Sequence, residues 1–192
     1  GTIQRNAERI LQLVNQLMDI RKIDKGQMSL MFKKAEIVSF TRDLLETFEQ
    51  QTRVKKLDLK FHTSAPEIEM WIDPKNFDKI ILNLLSNACK FTPENGQVEI
   101  SLSTGEDTHL PPNAPLRRYV ELTVADSGIG IASTEREHIF ERFYQIRNSQ
   151  NNSNIGTGIG LHLTRSLVEL HYGNIHVEDN DEGKPGSRFI IR

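Results

Sequence analysis

The chain has 192 residues, 37% apolar and 26% charged, with a formal net charge of -2. That is enough for one ordinary domain with a core, or a domain plus an appendage, and the charge balance excludes a strongly cationic surface built for nucleic acid. The single cysteine, Cys89, has no partner for an internal disulfide or a zinc site, which reads as a reducing, cytosolic setting. No apolar run approaches the roughly 18 residues of a membrane helix and no signal peptide opens the chain, so this segment is expected to make no membrane contact.

Ile3, Ala7, Ile10, Leu13, Val14, Leu17 and Ile20 recur at steps of three and four. The spacing predicts a long amphipathic helix ending near Lys25-Gly26, with glycine at its C-cap. The stripe is wide enough for a helix bundle that residues 1–26 cannot complete. A partner helix is expected from a second chain or from missing sequence; the alternative is a helix lying on its own domain. Both ends read as cut from a longer protein.

Beyond Gly26 the periodicity changes. Strands are predicted at 28–33, 57–61 and 68–72, with a helix at 37–51 between the first two. Asp73 and Pro74 open a helix as N-cap and first-turn proline, and Pro93 stops it after Phe91. Strands at 97–103 and 118–125 flank a proline-rich loop. Residues 131–155 hold one short helical piece and then a polar run, 147–154, without an apolar residue. A helix at 158–171 and strands at 174–179 and 187–191 complete the chain. This mixture predicts an α/β two-layer sandwich: a mixed, mostly antiparallel sheet covered on one face by helices.

Three stretches carry chemistry. On the helix after Asp73, the residues Asn83, Asn87 and Lys90 follow at offsets of four and three and share one face. An amide carbonyl is a hard-oxygen ligand suited to Mg²⁺, and a lysine one turn on meets phosphate charge. Taken alone, a solvated face with two incidental asparagines is the better reading of them. Asp126-Ser127-Gly128-Ile129-Gly130 follows a strand. Asp126 is placed to accept a hydrogen bond from an exocyclic amine, and the glycines admit a flat ring; an ordinary turn is the bland reading. Residues 156–161, GTGIGL, precede a helix and suit either a flexible joint or a phosphate-side backbone. The polar run between the two glycine stretches reads as a mobile lid.

In this order the pieces resemble the ATP-binding catalytic domain of sensor histidine kinases, within the superfamily that includes gyrase B and MutL. NLLSNACKFTP resembles the asparagine box, DSGIGI the first glycine box, IFERFYQ the phenylalanine box and GTGIGLHL the second glycine box. KPGSRF resembles the third short motif, with Ser187 where threonine is usual. The resemblance covers residues 27–192 and implies a Bergerat-type fold. The opening helix resembles the second helix of the dimerisation and phosphoacceptor hairpin, which makes residues 1–26 a partial hairpin domain.

Residue by residue, the resemblance implies that Asn87 ligates Mg²⁺, Asn83 supports the site and Lys90 contacts phosphate; Asn83 and Lys90 are the catalytic pair. It implies that Asp126 takes the adenine amine with Gly128 and Gly130 beside the ring, and that Ser187 assists. Gly156, Thr157, Gly158, Gly160 and Leu161 border the triphosphate. Phe140 and Phe143 anchor the lid and Tyr144 covers the nucleotide. Some relatives carry arginine where this chain has Gln145, which leaves Arg142 or Arg147 to supply a lid contact to phosphate.

The implied activity is transfer of the ATP γ-phosphoryl group to a histidine on the first hairpin helix, of the same or a partner subunit. The implied partners are ATP or ADP, a homodimer mate and a response-regulator receiver domain, fused or separate. The implied parent is anchored in the inner membrane. None of the six histidines lies in the opening helix, and His171 matches a packing position. Two rivals stand beside this reading. A gyrase- or MutL-like ATPase would carry a glutamate general base where this chain has Asn83, and an amide takes no proton at neutral pH. A non-catalytic nucleotide-binding docking module would need no turnover.

Overall fold

A computed structural model describes residues 2–111, 117–146, 157–180 and 183–192. Helix α1 (Thr2–Asp24) ends as its sequence demands. Gly26 takes φ +62°, its N–H reaches Ile23 O at 2.9 Å, and the Gln27 N–H reaches Lys22 O at 2.8 Å. That is a Schellman closure, which satisfies carbonyls the helix leaves open.

The strand expected at 28–33 is displaced. Residues 27–32 form no ladder. Pairing begins with β1 (Lys33–Glu36), antiparallel to β3 (Glu69–Ile72), with Ala35 opposite Met70. Met31 is claimed by another element, because its N–H donates to Asp73 Oδ2 at 2.8 Å. The helix expected at 37–51 is two helices, α2 (Ile37–Glu46) and α3 (Glu49–Val54). Between them Thr47 Oγ1 donates to Leu44 O at 2.6 Å, a back-bond that competes with helix propagation, and Phe48 turns into the core.

The main sheet has five strands in the order β2-β4-β5-β7-β6. They are β2 (Asp58–Thr63), β4 (Gln97–Glu106), β5 (Arg118–Asp126), β6 (Ile175–Asp179) and β7 (Ser187–Ile191). β2 and β4 are parallel and the other pairs antiparallel. Alternation divides the faces. Val98, Ile100, Leu102, Leu122 and Val124 are buried beneath Ile80, Ile81, Leu84 and Leu85 of α4 (Pro74–Phe91) and Leu167 of α5 (Gly160–Leu170). Glu99, Ser101, Ser103, Glu121 and Thr123 face the other way and are partly exposed. The two-layer sandwich expected from sequence is the architecture observed. Two short 3-10 turns, Ser133–Glu135 and His138–Phe140, stand where one helical piece was expected.

α1 lies partly on this domain. Ile20 is buried and Leu13 and Ile23 pack against the core. Asp19 pairs with Lys79 at 2.6 Å and Asp24 with Arg142. Ile10, Leu11, Val14, Leu17 and Met18 are left between 44% and 62% exposed. Among the described residues no helix is long and apolar enough to cross a membrane.

Candidate functional site

The site is built around α4. Asp73 caps its start, with Oδ1 accepting the Asn76 N–H at 3.2 Å and Oδ2 the Asn76 side-chain amide at 3.1 Å. Burial raises the Asp73 carboxyl; these bonds and the Met31 N–H outweigh it and hold the carboxyl below its usual range. His171 Nδ1 lies 2.7 Å from Leu167 O, and His171 Nε2 accepts the Asp73 N–H at 3.1 Å. Nδ1 therefore carries the proton, and the end of α5 is pinned to the start of α4. His171 is structural, as the sequence reading had it.

The second half of α4 carries Asn83, Asn87 and Lys90 on one half-buried face. Asn83 Nδ2 donates to Thr164 Oγ1 of α5 at 2.7 Å, which leaves its carbonyl oxygen facing the start of α5. A side chain on Gly160 would collide with that oxygen. Lys90 holds its ammonium 4.7 Å from the centre of the Phe91 ring.

The first glycine stretch meets the end of the same helix. A Cβ on Gly128 would lie 2.7 Å from Phe91 O, so this turn packs directly on α4. Asp126, the last residue of β5, is 6% exposed. Its Oδ1 accepts the Gly128 N–H at 2.8 Å, and Ser187 bonds the carboxyl through hydroxyl and N–H. Burial raises its pKa above the ordinary carboxylate value despite those bonds. Gly130 abuts the next turn, with its Cβ position 3.2 Å from Gly186 O.

The second glycine stretch is held by the phenylalanine box. Phe143 N–H donates to Gly158 O at 2.8 Å. Gly158 has φ +69°, and a Cβ there would stand 2.6 Å from the Phe143 carbonyl carbon, so only glycine fits. Thr157 Oγ1 accepts the Ile159 N–H at 3.3 Å, and Leu161 packs against the core. Phe140 is buried edge-on to Phe189, with ring centres 6.4 Å apart. Phe143 is 65% exposed.

Asn83, Asp126, Gly128, Gly130, Gly158, Gly160 and Ser187 are thus joined through α4 and its two flanking turns. Asn87 and Lys90 lie on the same helix face between them. Tyr144 is turned elsewhere: its hydroxyl donates to Glu135 and its ring stacks on His138. Arg142 bonds Asp24 and donates Nε–H to His162 Nε2 at 2.9 Å. Gly156, Arg147 and the lid run lie outside the described residues. Thr164 was missed from sequence; its one signal is its place a turn after Gly160.

The donor set suits a phosphate-bound Mg²⁺. Among the described residues no group of three or more acidic, histidine or cysteine side chains could hold a metal alone. An ion here would take the Asn87 carbonyl and complete its shell with phosphate oxygens and water, the arrangement Mg²⁺ favours.

Residues 72–192 match the family of histidine kinase-, DNA gyrase B- and HSP90-like ATPases, and the chain belongs to that family. The sensor histidine kinase TmoS of Ectopseudomonas mendocina is 38% identical over 190 residues, covering 99% of this chain and 18% of that protein. The sensor histidine kinase WalK of Bacillus subtilis is 30% identical over 183 residues, covering 94% of this chain and 28% of WalK. The nucleotide-free catalytic domain of the histidine kinase ThkA superposes with a TM-score of 0.68 at 25% identity, covering 84% of this chain and 96% of that one. Full-length ShkA in complex with AMPPNP shares the fold with a TM-score of 0.77 at 24% identity, covering 99% of this chain and 36% of that one. The chain spans less than a fifth of the length of TmoS.

Proposed function

We propose that residues 27–192 are the ATP-binding catalytic domain of a sensor histidine kinase and that residues 1–26 belong to its dimerisation and phosphoacceptor hairpin. The observation that carries this reading is Asn83. It stands one turn before Asn87 with its carbonyl facing the second glycine turn, in the place where water-activating members of the superfamily hold glutamate. An amide takes no proton at neutral pH, so water loses a base whose help is worth roughly 10²–10⁴ in rate. A histidine imidazole already has a lone pair and needs little such help.

Phosphoryl transfer depends mainly on positioning and charge stabilisation. Asp126 accepts the adenine amine and fixes the base against Gly128 and Gly130. Asn83, fastened to Thr164, sets the distance between α4 and the second glycine turn. Lys90 offsets phosphate charge. Asn87 would hold Mg²⁺, which would supply further neutralisation of the phosphate oxygens. The acceptor is a histidine of the hairpin in the same or a partner subunit, and the phosphoryl group passes on to a response-regulator receiver domain. The similarity to TmoS over 99% of this chain supports the assignment.

The test has two parts. Asp126→Asn should weaken ATP binding by calorimetry about tenfold or more, because hydrogen bonds to charged groups contribute roughly 1.5–3 kcal/mol. Extending the chain through the complete hairpin and adding labelled ATP should give acid-labile, base-stable phosphate on the first hairpin helix, with slow hydrolysis by residues 1–192. Rapid hydrolysis without such a label would support the gyrase-like ATPase instead. Tight binding with neither reaction would support a docking module.

A further inference from the structure

The turn that covers Asp126 is held by a residue with no part in the reading above. Asn180 follows β6. Its side-chain amide donates to Asp126 O at 2.7 Å and to Pro185 O at 2.7 Å. An NH₂ group has two hydrogens, and both are used. The reverse orientation would press Oδ1 against two carbonyl oxygens, so the geometry fixes which atom lies where. Oδ1 itself is buried without a partner among the described residues.

This clamp restrains a segment that needs restraint. Gly183 and Gly186 have φ +80° and +110°. Gly186 lies so close to Asp126 that any Cβ would strike Asp126 O. Glycines give the turn its path and leave it the most conformational freedom to lose. One residue further on is Ser187, paired with Asp126 in the sheet register and bonded to its carboxyl. The Cβ position of Gly130 abuts the Gly186 carbonyl as well. Asn180 therefore ties the β6–β7 turn to the backbone of Asp126 at the point where that turn meets the first glycine stretch.

We propose that Asn180 is a positioning residue for adenine recognition, acting through Ser187 and the Asp126 backbone to aim the Asp126 carboxylate at the exocyclic amine. The proposal rests on the assignment of Asp126 to adenine. A carboxylate aimed at the exocyclic position accepts a hydrogen from adenine's amine and repels the oxygen that replaces it in hypoxanthine. Losing the clamp should thus cost affinity for ATP more than for inosine triphosphate, which has an oxygen at that position.

The experiment measures equilibrium binding of ATP and inosine triphosphate to the 192-residue chain and its variants, with thermal unfolding recorded for each. Asn180→Ala should lower the ATP-to-inosine preference about tenfold, at the lower end of the range open to a hydrogen bond to a charged group. Asn180→Ser, which keeps one donor, should fall between it and the parent, and decides the matter by the same ratio if Asn180→Ala does not fold. Asp126→Asn sets the scale. If Asp126→Asn collapses the preference and neither Asn180 variant moves it, the inference on Asn180 is overturned alone. An equal loss of affinity for both nucleotides on changing Asn180 makes the residue structural only and overturns it too. If Asp126→Asn leaves the preference intact, the adenine assignment falls and takes this inference with it.

Discussion

Glu36 joins two elements through one carboxylate. Its Oε1 accepts the Val38 N–H at 2.9 Å and the Ile68 N–H at 3.0 Å, and its Oε2 the Ser39 N–H at 2.7 Å. It caps α2 and at the same time fastens the approach to β3. Burial raises the Glu36 pKa, but the Ile68 N–H, the Ser39 side chain and the other two N–H groups outweigh it, drawing it from an ordinary 4.5 down to about 2. A depressed carboxyl stabilises the fold when ionised. Its contribution is full above the unfolded value near 4.5 and is lost as pH falls through the folded value near 2. Glu36→Ala should therefore lower stability at pH 7 by about 0.5–2 kcal/mol, the usual cost of losing an N-cap. Urea titrations of parent and variant should converge as pH is taken from 5 towards 2; a gap that persists at pH 2 would show that lost packing, not the ionised cap, accounts for the difference.

At the scale of the element, α4 is defined by how its ends are closed. The carbonyl of Ala88 receives the Thr92 N–H at 3.0 Å and the Thr92 hydroxyl at 2.6 Å. The carbonyls of Cys89 and Lys90 receive the Lys55 ammonium at 2.7 and 3.0 Å. A cation at a helix C-terminus is favoured by the dipole as well as by these bonds. Lys55→Met keeps the aliphatic stem and leaves both carbonyls without the ammonium. We expect a loss of about 1–3 kcal/mol in denaturant unfolding and faster amide exchange at residues 89–92, with partial recovery in Lys55→Arg. The ends of α4 were legible because Asp73, Pro74 and Pro93 are local signals. The Lys55 cap was not, since it spans 34 residues of sequence. β1 was misplaced for the same reason: its extent is set by β3, and the apolar run before it looks no less strand-like. The asparagines and glycines proposed for the site stand out in sequence because each box is contiguous. Thr164 and Asn180 were not, because each acts through a partner far away in sequence, 81 residues for Thr164 and 54 for Asn180.

On the scale of the whole molecule, α1 has two unlike sides. Ile20 and Ile23 are spent on the ATP-binding domain, while the stripe from Ile10 to Met18 faces water. An apolar stripe of that length on a charged helix calls for a partner helix. The chain should sediment as a heavier species as its concentration rises, and the double variant Leu11→Glu/Val14→Glu should stay monomeric with the thermal midpoint of the dilute parent. Monomeric behaviour of the parent at every concentration would remove the case for this stripe as a dimer seam in residues 1–192. The sheet order carries a different consequence, for synthesis. β7 is the last strand in sequence order, yet it lies inside the sheet between β5 and β6. On the ribosome, β5 and β6 have no way to join until residues 187–191 emerge. Until then both present unpaired edges to their surroundings, a recognised route to aggregation for nascent chains. Ser187, the residue that completes the Asp126 carboxyl, arrives with that strand. The sheet is therefore closed, and the Asp126 carboxyl given its Ser187 partner, in a single step when that strand arrives.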